Sequence, residues 1–229
     1  MKSTAILIPA RYNSSRFKGK SLTMLGEMTM IERVVSRCLD TGLDTFVLTD
    51  NRTIAYAAKQ AGATPFVDSH EYNNGTERCA GALRSYLLDG YDQFINVQGD
   101  MPDVNKHMIN KVLWHLKHYP ITTLFTDMPE EMRNDPNTVK MVRGGDKALW
   151  FGRGMTGYGH WHLGIYGYKR NPLQLYSQYG IMEEERVEKL EQLRWLTAGW
   201  DIGVLHTEFN GIEINTPEDA ERWNEKWQI

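Results

Sequence analysis

The hydrophobic positions in the first half of the chain alternate between short continuous runs and patterns with helical spacing. The runs are bounded by polar or turn-forming residues, as expected for strands buried on both faces of a sheet. They lie at positions 4–8, 45–49, 66–67 and 94–97. Helical spacing follows each run, at 30–38, 54–61, 76–88 and 105–118. This alternation predicts βαβ crossovers and a mostly parallel sheet that is covered by helices.

The pattern changes after residue 122. Strand-like segments joined by polar or glycine-rich links lie at 139–142, 149–151 and 163–166. Helical spacing returns at 183–197 and 217–227, on either side of a further strand candidate at 202–205. We therefore predict one α/β domain over residues 1–229, with a smaller mixed β lobe at about 122–182.

The composition is that of an ordinary globular protein, with 41% hydrophobic and 24% charged residues. Lysine and arginine number 26 and aspartate and glutamate 29, which gives a net charge of −3. This balance argues against nucleic-acid binding that depends on a global positive charge. The sequence has no apolar stretch with the length of a signal peptide or a membrane span, so we expect a cytoplasmic protein without a membrane partner.

The loop after the first predicted strand, residues 9–20, is rich in cations. Its cations are Arg11, Arg16, Lys18 and Lys20. A guanidinium group can bind two phosphate oxygens at once, and a lysine can neutralise the charge of a departing pyrophosphate. A polyphosphate site and a solvated basic loop both fit this composition. A P-loop does not, because its first glycine would have to stand at position 14, which is a serine, and no G-x-G-x-x-G motif indicates NAD.

Polar residues also follow the strand predicted at 94–97. Asp100 stands near its end, where a carboxylate could bind magnesium together with substrate phosphates or could simply form a turn. Gln98 could donate to a ligand or be a satisfied polar residue at the sheet edge. Thr76 stands at a predicted helix start, where it could help to bind an anion or a base edge, or act as an ordinary cap.

Nine segments, in the same order, resemble the 3-deoxy-manno-octulosonate cytidylyltransferases, also called CMP-KDO synthetases. The segments are IPAR at 8–11, SR at 15–16, GK at 19–20, TD at 49–50, GTER at 75–78, NVQGDMP at 96–102, HLGIYGY at 162–168, LEQLR at 190–194 and TPED at 216–219. The resemblance spans almost the whole chain. It implies a nucleotide-diphospho-sugar transferase-like (Rossmann-like) fold, a homodimer, and magnesium-dependent transfer from CTP to a sugar acid with release of pyrophosphate.

The resemblance also implies roles for individual residues. The nucleotide would be bound by Pro9, Ala10, Arg11, Ser15, Arg16, Lys20, Thr76 and Asp100. The sugar acid would be bound by Arg78, Gln98, His162, Tyr166, Glu191 and Gln192. Catalysis would depend on Lys20, Arg11 and Asp100, and magnesium would be held by Asp100 and Asn215. Each role has a plain structural alternative, since Glu191 and Gln192, for example, could form the solvated face of the predicted helix.

The sequence departs from the family pattern at three places. Asn215 replaces an aspartate that ligates the metal, so a second metal position would be weaker or would depend on nearby Glu213. Met101 and Lys18 stand where the family carries glutamate and proline. The segment 152–159 is shorter and rich in glycine. The acceptor could therefore be KDO, its 8-amino relative or a nonulosonic acid, and a non-catalytic binding protein stays open.

Overall fold

Residues 3–13 and 17–228 are described by a computed structural model. The elements of the first half are β1 (Thr4–Pro9), β2 (Met24–Leu25), β3 (Met28–Thr29), α1 (Met30–Leu39), β4 (Asp44–Thr49), α2 (Arg52–Gln60), β5 (Thr64–Val67), α3 (Gly75–Ala82), β6 (Gln93–Val97) and α4 (Lys106–His115). The second half adds β7 (Ile121–Thr126), β8 (Lys140–Gly144), β9 (Lys147–Gly152), β10 (His160–Lys169), α5 (Arg170–Leu175), α6 (Glu183–Glu188), α7 (Leu193–Thr197), β11 (Ile202–His206) and α8 (Pro217–Trp227).

Nine strands form one sheet in the order β5-β4-β1-β6-β10-β7-β11-β9-β8. The strands β5, β4, β1 and β6 are parallel to one another, as the alternating pattern of the first half predicts. Strand β10 then enters antiparallel to both β6 and β7, and β9 is antiparallel to β11 and β8. Strands β7 and β11 are again parallel to each other. The sheet is therefore mixed, and the prediction of a mostly parallel sheet is right for the first half and for this pair.

The strands of the second half continue this sheet. Strand β8 pairs with the start of β10 as well as with β9, so β10, β7, β11, β9 and β8 close into a small ring. The segment predicted as a mixed lobe at 122–182 thus contributes β7 and β10 to the centre of the sheet. Strand β7 was not predicted, because Thr122 and Thr123 interrupt its apolar run and Thr126 ends it. Those threonines are buried, and Thr123 donates its hydroxyl proton to the carbonyl oxygen of Ile165 at 2.7 Å.

Two predicted helices are not continuous in the structure. The helix predicted at 76–88 stops at Ala82 and is followed by a separate 3-10 turn at Tyr86–Leu88. The helix predicted at 183–197 is divided into α6 and α7, and Lys189 between them has a left-handed backbone with φ of 55°. This second break places the following residues beside a cleft.

The core lies on both faces of the sheet. One buried cluster packs beneath α3, α5 and α7, and the other beneath α1, α2 and α4. Both cysteines, Cys38 and Cys79, are buried free thiols. Within the described ranges we find no helix whose length and hydropathy would suit a membrane crossing.

Candidate active site

A cleft with two adjoining compartments opens where β1 and β6 end. The smaller compartment has a volume of about 210 Å³ and the larger one about 550 Å³. Residues that line both compartments, and so mark their junction, are Arg11, Asn74, Gly75, Gln98, Asp100 and Asn215. Because β1 and β6 are parallel neighbours, the loops after them meet at the same edge of the sheet, as ligand-binding loops do in open α/β sheets.

The smaller compartment is lined in part by the loops that follow β1 and β6. Pro9 and Ala10 lie at the end of β1 and face the loop that carries Gly99. A Cβ atom on Gly99 would lie 3.1 Å from the carbonyl oxygen of Pro9, so a glycine permits this close approach. The first turn of α3 borders the same space, and Asn74 caps it by accepting the backbone N–H of Glu77 at 2.8 Å. The backbone N–H of Thr76 in the same turn donates to Glu191 at 3.3 Å, so these two N–H groups already have partners within the protein.

Lys20 and Asp100 form an ion pair at the junction. The ammonium group of Lys20 donates to Oδ2 of Asp100 at 2.7 Å and to the carbonyl oxygen of Ile214 at 3.3 Å. Arg11, which is exposed, lines the same junction. Two predicted cations and the predicted metal ligand therefore lie where the compartments meet. Ser15 and Arg16 lie outside the described residues.

Arg78 lines the smaller compartment rather than the larger one, where its predicted role in sugar-acid binding would place it. Its guanidinium lies 5.1 Å from the centroid of the Tyr72 ring and 3.8 Å from a carboxylate oxygen of Asp50. The side chain is buried, and among the described residues its Nη1 atom has no hydrogen-bond partner. A buried donor in this condition is well suited to a ligand in the smaller compartment.

The larger compartment is lined by side chains from distant parts of the chain. The other residues predicted for the sugar acid all line it: Gln98, His162, Tyr166, Glu191 and Gln192. His162 lies on β10, with Nε2 at 3.0 Å from the hydroxyl oxygen of Thr123. Burial lowers the pKa of His162 to about 3, and the positive charge of Arg153 adds to this effect. The imidazole is therefore neutral near pH 7 and can hydrogen-bond a ligand without carrying charge.

Glu191 is held against the start of α3. One carboxylate oxygen accepts the hydroxyl of Thr76 at 2.9 Å and the amide of Gln98 at 3.3 Å, and the other accepts the backbone N–H of Thr76 at 3.3 Å. Burial raises the pKa of Glu191, although the hydrogen bonds from Thr76 oppose this shift. Thr76, predicted to bind the nucleotide, is fully buried and lines neither compartment. In this structure its hydroxyl donates a hydrogen bond to the carboxylate of Glu191.

The junction also offers oxygen donors for a hard cation. Asp100 and Asn215 line both compartments, and Glu213 lines the larger one. Burial raises the pKa of Glu213 to about 7, and the negative charge of Asp100 contributes to this rise. A cation near these groups would relieve that repulsion. Within residues 3–13 and 17–228 no cluster of three or more His, Cys, Asp or Glu side chains forms a metal site. Magnesium is commonly bound through one or two carboxylates together with substrate phosphates, so the donors present fit it.

Several residues that line the larger compartment were not predicted to belong to a site. They are Asn73, Asn137, Val139, Arg153, Ile181, Glu185, Arg186, Lys189 and Leu190, of which Leu190 stands in the LEQLR segment of the resemblance. Arg153 directly follows β9, and a search for polar residues at the end of each predicted strand could have identified it. Lys189 belongs to the break between α6 and α7, which periodicity alone does not show.

The sequence model of the cytidylyltransferase family matches residues 5–202. The chain belongs to the cytidylyltransferase family. The enzyme is 36% identical over 233 residues to the 8-amino-3,8-dideoxy-manno-octulosonate cytidylyltransferase of Shewanella halifaxensis, with 95% of each chain covered. It is also 36% identical over 231 residues to the 3-deoxy-manno-octulosonate cytidylyltransferase of Fusobacterium nucleatum, covering 94% of this chain and 93% of that one. These relatives confirm the resemblance and show a nucleotidyltransferase.

Solved structures show the same relationship. The enzyme superimposes on a CMP:2-keto-3-deoxy-manno-octonic acid synthetase, solved in complex with CTP, with a TM-score of 0.90 and 30% identity over 99% of each chain. The 4-diphosphocytidyl-2C-methyl-D-erythritol synthase of Anaerococcus prevotii has a TM-score of 0.70 at 12% identity, over 100% of this chain and 99% of that one. The second match shows a shared fold alone. Together they confirm the predicted nucleotide-diphospho-sugar transferase-like α/β fold.

Proposed function

We propose that the enzyme transfers the cytidylyl group of CTP to a 3-deoxy sugar acid, KDO or a close relative, with magnesium as cofactor. The products are the CMP-sugar and pyrophosphate. The observation that carries this proposal is the meeting of two compartments at the Lys20–Asp100 pair. The activities for which the relatives are named, and the CTP bound by the structural neighbour, support the choice of donor and acceptor.

The two compartments divide the substrates between them. The smaller one would take the nucleotide, because three cations, Arg11, Lys20 and Arg78, line it and can donate to phosphate oxygens. The larger one would take the sugar acid, whose hydroxyl groups need several separate hydrogen-bond partners. Gln98, Gln192 and neutral His162 offer such partners there. A nucleotide role for Ser15 and Arg16 stays a prediction.

Asp100 and Asn215 would hold the magnesium ion, with Glu213 close by. When bound, the ion would neutralise negative charge on the phosphate oxygens of CTP and polarise its α-phosphoryl group. Lys20 and Arg11 bring two positive charges to the same junction. They would stabilise the charge that accumulates on the departing pyrophosphate.

In the reaction, the oxygen of the anomeric hydroxyl attacks the α-phosphorus of CTP in line. A bond forms between that oxygen and the phosphorus, while the bond from the phosphorus to the bridging oxygen of pyrophosphate breaks. The hydroxyl proton passes to solvent. The protein acts mainly by positioning the two substrates and neutralising charge, and no covalent enzyme intermediate is needed.

The test is pyrophosphate release from CTP and magnesium with KDO, its 8-amino relative and N-acetylneuraminate. We expect release with KDO or the 8-amino acid and none with N-acetylneuraminate. Release with N-acetylneuraminate alone would assign a nonulosonic acid as acceptor. If no acid supported release while CTP still bound, a non-catalytic binding protein would replace the proposal. The homodimer and the cytoplasmic location stay predictions, which light scattering and cell fractionation test.

A further inference from the structure

The turn between α6 and α7 carries Glu191 and Gln192 to the larger compartment. Helix α6 has six residues and α7 has five, and helices of this length are not stable by themselves in water. Lys189, at the end of α6, also adopts a left-handed backbone that costs free energy outside glycine. Contacts from elsewhere in the molecule must therefore hold this turn in place.

Arg194 supplies those contacts. The residue is 1% exposed and belongs to the LEQLR segment, in which the proposed function gives it no role. Its Nε and Nη2 atoms donate to the two carboxylate oxygens of Glu185 at 2.7 and 2.6 Å, and its Nη1 atom lies 2.9 Å from a carboxylate oxygen of Glu77. The guanidinium also lies over the ring of Tyr176, 4.2 Å from the centroid. All three of its nitrogen atoms are thus engaged.

The pair between Arg194 and Glu185 depends on the break in the helix. In a continuous helix two residues nine positions apart would be separated by about 13.5 Å along the axis. A forked contact at hydrogen-bond distance is incompatible with that separation. The ion pair therefore holds α7 folded back against α6, and the third contact ties both of them to Glu77 on α3.

The same network reaches the wall of the larger compartment. The hydroxyl of Tyr176 donates to the carbonyl oxygen of Glu191 at 2.9 Å. Asn74, which caps α3 and lines both compartments, donates its amide to the hydroxyl of Tyr176 at 3.2 Å and to Glu185 at 3.4 Å. Buried hydrogen bonds therefore connect the guanidinium of Arg194 with both sides of the sugar-acid space.

We infer that Arg194 is a positioning residue for the acceptor, which holds the turn through Glu185, Glu77 and Tyr176 so that Glu191 and Gln192 face the sugar acid. The inference rests on the proposed function. A buried ion pair contributes little net stability compared with apolar packing, but it fixes geometry because each of its partners must be matched. Arg194 itself touches no substrate, so its loss should change acceptor binding rather than nucleotide binding.

The test compares Tyr176→Phe and Arg194→Lys with the wild type. Tyr176→Phe removes only the hydroxyl that reaches Glu191 and keeps the ring beneath the guanidinium. Loss of one such hydrogen bond should raise the KM for the sugar acid by about 3- to 10-fold. Arg194→Lys keeps the positive charge but loses the bidentate contact with Glu185. It should raise the KM for the sugar acid by about 10-fold or more. The KM for CTP should not change in either variant.

Arg170→Lys is the matched control. Arg170 also lies over an aromatic ring, 5.3 Å from the centroid of Phe94, and donates to the carbonyl oxygen of Tyr91 at 2.8 Å, but it lines neither compartment. Its substitution should lower thermal stability and leave both KM values unchanged.

Three outcomes decide the inference. An unchanged KM for the sugar acid in both variants, or an equal rise for CTP, would overturn it while leaving the proposed function intact. If Arg194→Lys fails to fold, Tyr176→Phe still decides. If the wild type releases pyrophosphate with no acid, the proposed function fails and this inference fails with it.

Discussion

The two compartments of the cleft are built in different ways. The smaller one is lined by the loops that follow two neighbouring parallel strands, β1 and β6, by the start of α3 and by Asn215. The larger one is lined by residues from β10, from the turn between α6 and α7, and from the segment before α8. Neighbouring parallel strands bring much of the smaller compartment together, whereas the larger one depends more on contacts between segments far apart in sequence.

This difference indicates which changes should affect each substrate. The smaller compartment needs close backbone approach, so a single added methyl group can disturb it. The larger compartment needs a buried polar network, so loss of one hydrogen-bonding group should weaken acceptor binding while the nucleotide site stays intact. The junction belongs to both compartments, and changes there should affect the whole reaction.

The largest effect is expected at the junction. Asp100→Ala removes the partner of Lys20 and the only carboxylate that lines both compartments among the described residues. Turnover should fall by about 100-fold or more, because this group supports charge neutralisation at the reacting phosphate. Pyrophosphate release at saturating CTP and sugar acid measures the loss.

Asp44→Asn provides the control for this change. Asp44 starts β4, at the sheet edge opposite the cleft, and accepts a hydrogen bond from Tyr91. Its turnover should equal that of the wild type. Normal turnover in Asp100→Ala would contradict a role for Asp100 at the junction of the two compartments.

The next prediction concerns pH and the larger compartment. The pKa of His162 is about 3 in the folded protein and 6.5 in its ordinary, unfolded environment, so below pH 6.5 the unfolded chain binds a proton that the folded one does not. The stability from neutral His162 is fully present above pH 6.5 and is lost as the pH falls. Between pH 7 and pH 5 the loss should be about 2 kcal/mol, since one pH unit corresponds to 1.36 kcal/mol.

Urea unfolding of the wild type and of His162→Gln at pH 7 and at pH 5 measures this loss of unfolding free energy. The wild type should lose about 2 kcal/mol more than the variant over this range. His107→Gln, a change at an exposed position on α4, should show the wild-type pH dependence. Equal slopes for the wild type and His162→Gln would mean that His162 is not held neutral by burial.

A smaller effect is expected from the main chain of the nucleotide compartment. Gly99→Ala would place a methyl group 3.1 Å from the carbonyl oxygen of Pro9 and push the two loops apart. We expect the KM for CTP to rise by about 10-fold, since displacement of a positioning group by a fraction of an ångström weakens binding. The KM for the sugar acid should change less. Gly90→Ala, where an added Cβ atom would meet nothing within 4 Å, is the control.

The smallest effect is a gain at the junction. Asn215→Asp adds a negative charge beside Asp100, which should lower the magnesium concentration needed for half-maximal turnover severalfold. A magnesium titration of pyrophosphate release measures it. Asn171→Asp makes the same charge change on α5, away from the cleft, and should leave the titration unchanged. If the magnesium dependence of turnover is unchanged in Asn215→Asp, residue 215 does not bind the metal.

Much of the first half could be predicted because its signals are local. The buried runs predicted β1, β4 and β6, and the helical spacing at 54–61 predicted α2. The basic loop after β1 and Asp100 after β6 indicated one edge of the sheet, since parallel neighbours must end there together. The resemblance added the acceptor residues, five of which line the larger compartment.

The sequence by itself determined the alternation of strands and helices in the first half, the sheet edge at which the loops after β1 and β6 meet, and the family. Only the tertiary structure decided that β10 runs antiparallel through the centre of the sheet, that Thr76 serves Glu191, and that Arg78 faces the smaller compartment. It also decided the break between α6 and α7, which allows Arg194 to contact both Glu185 and Glu77. Periodicity records local preference, whereas partners distant in sequence become visible only when the chain is folded.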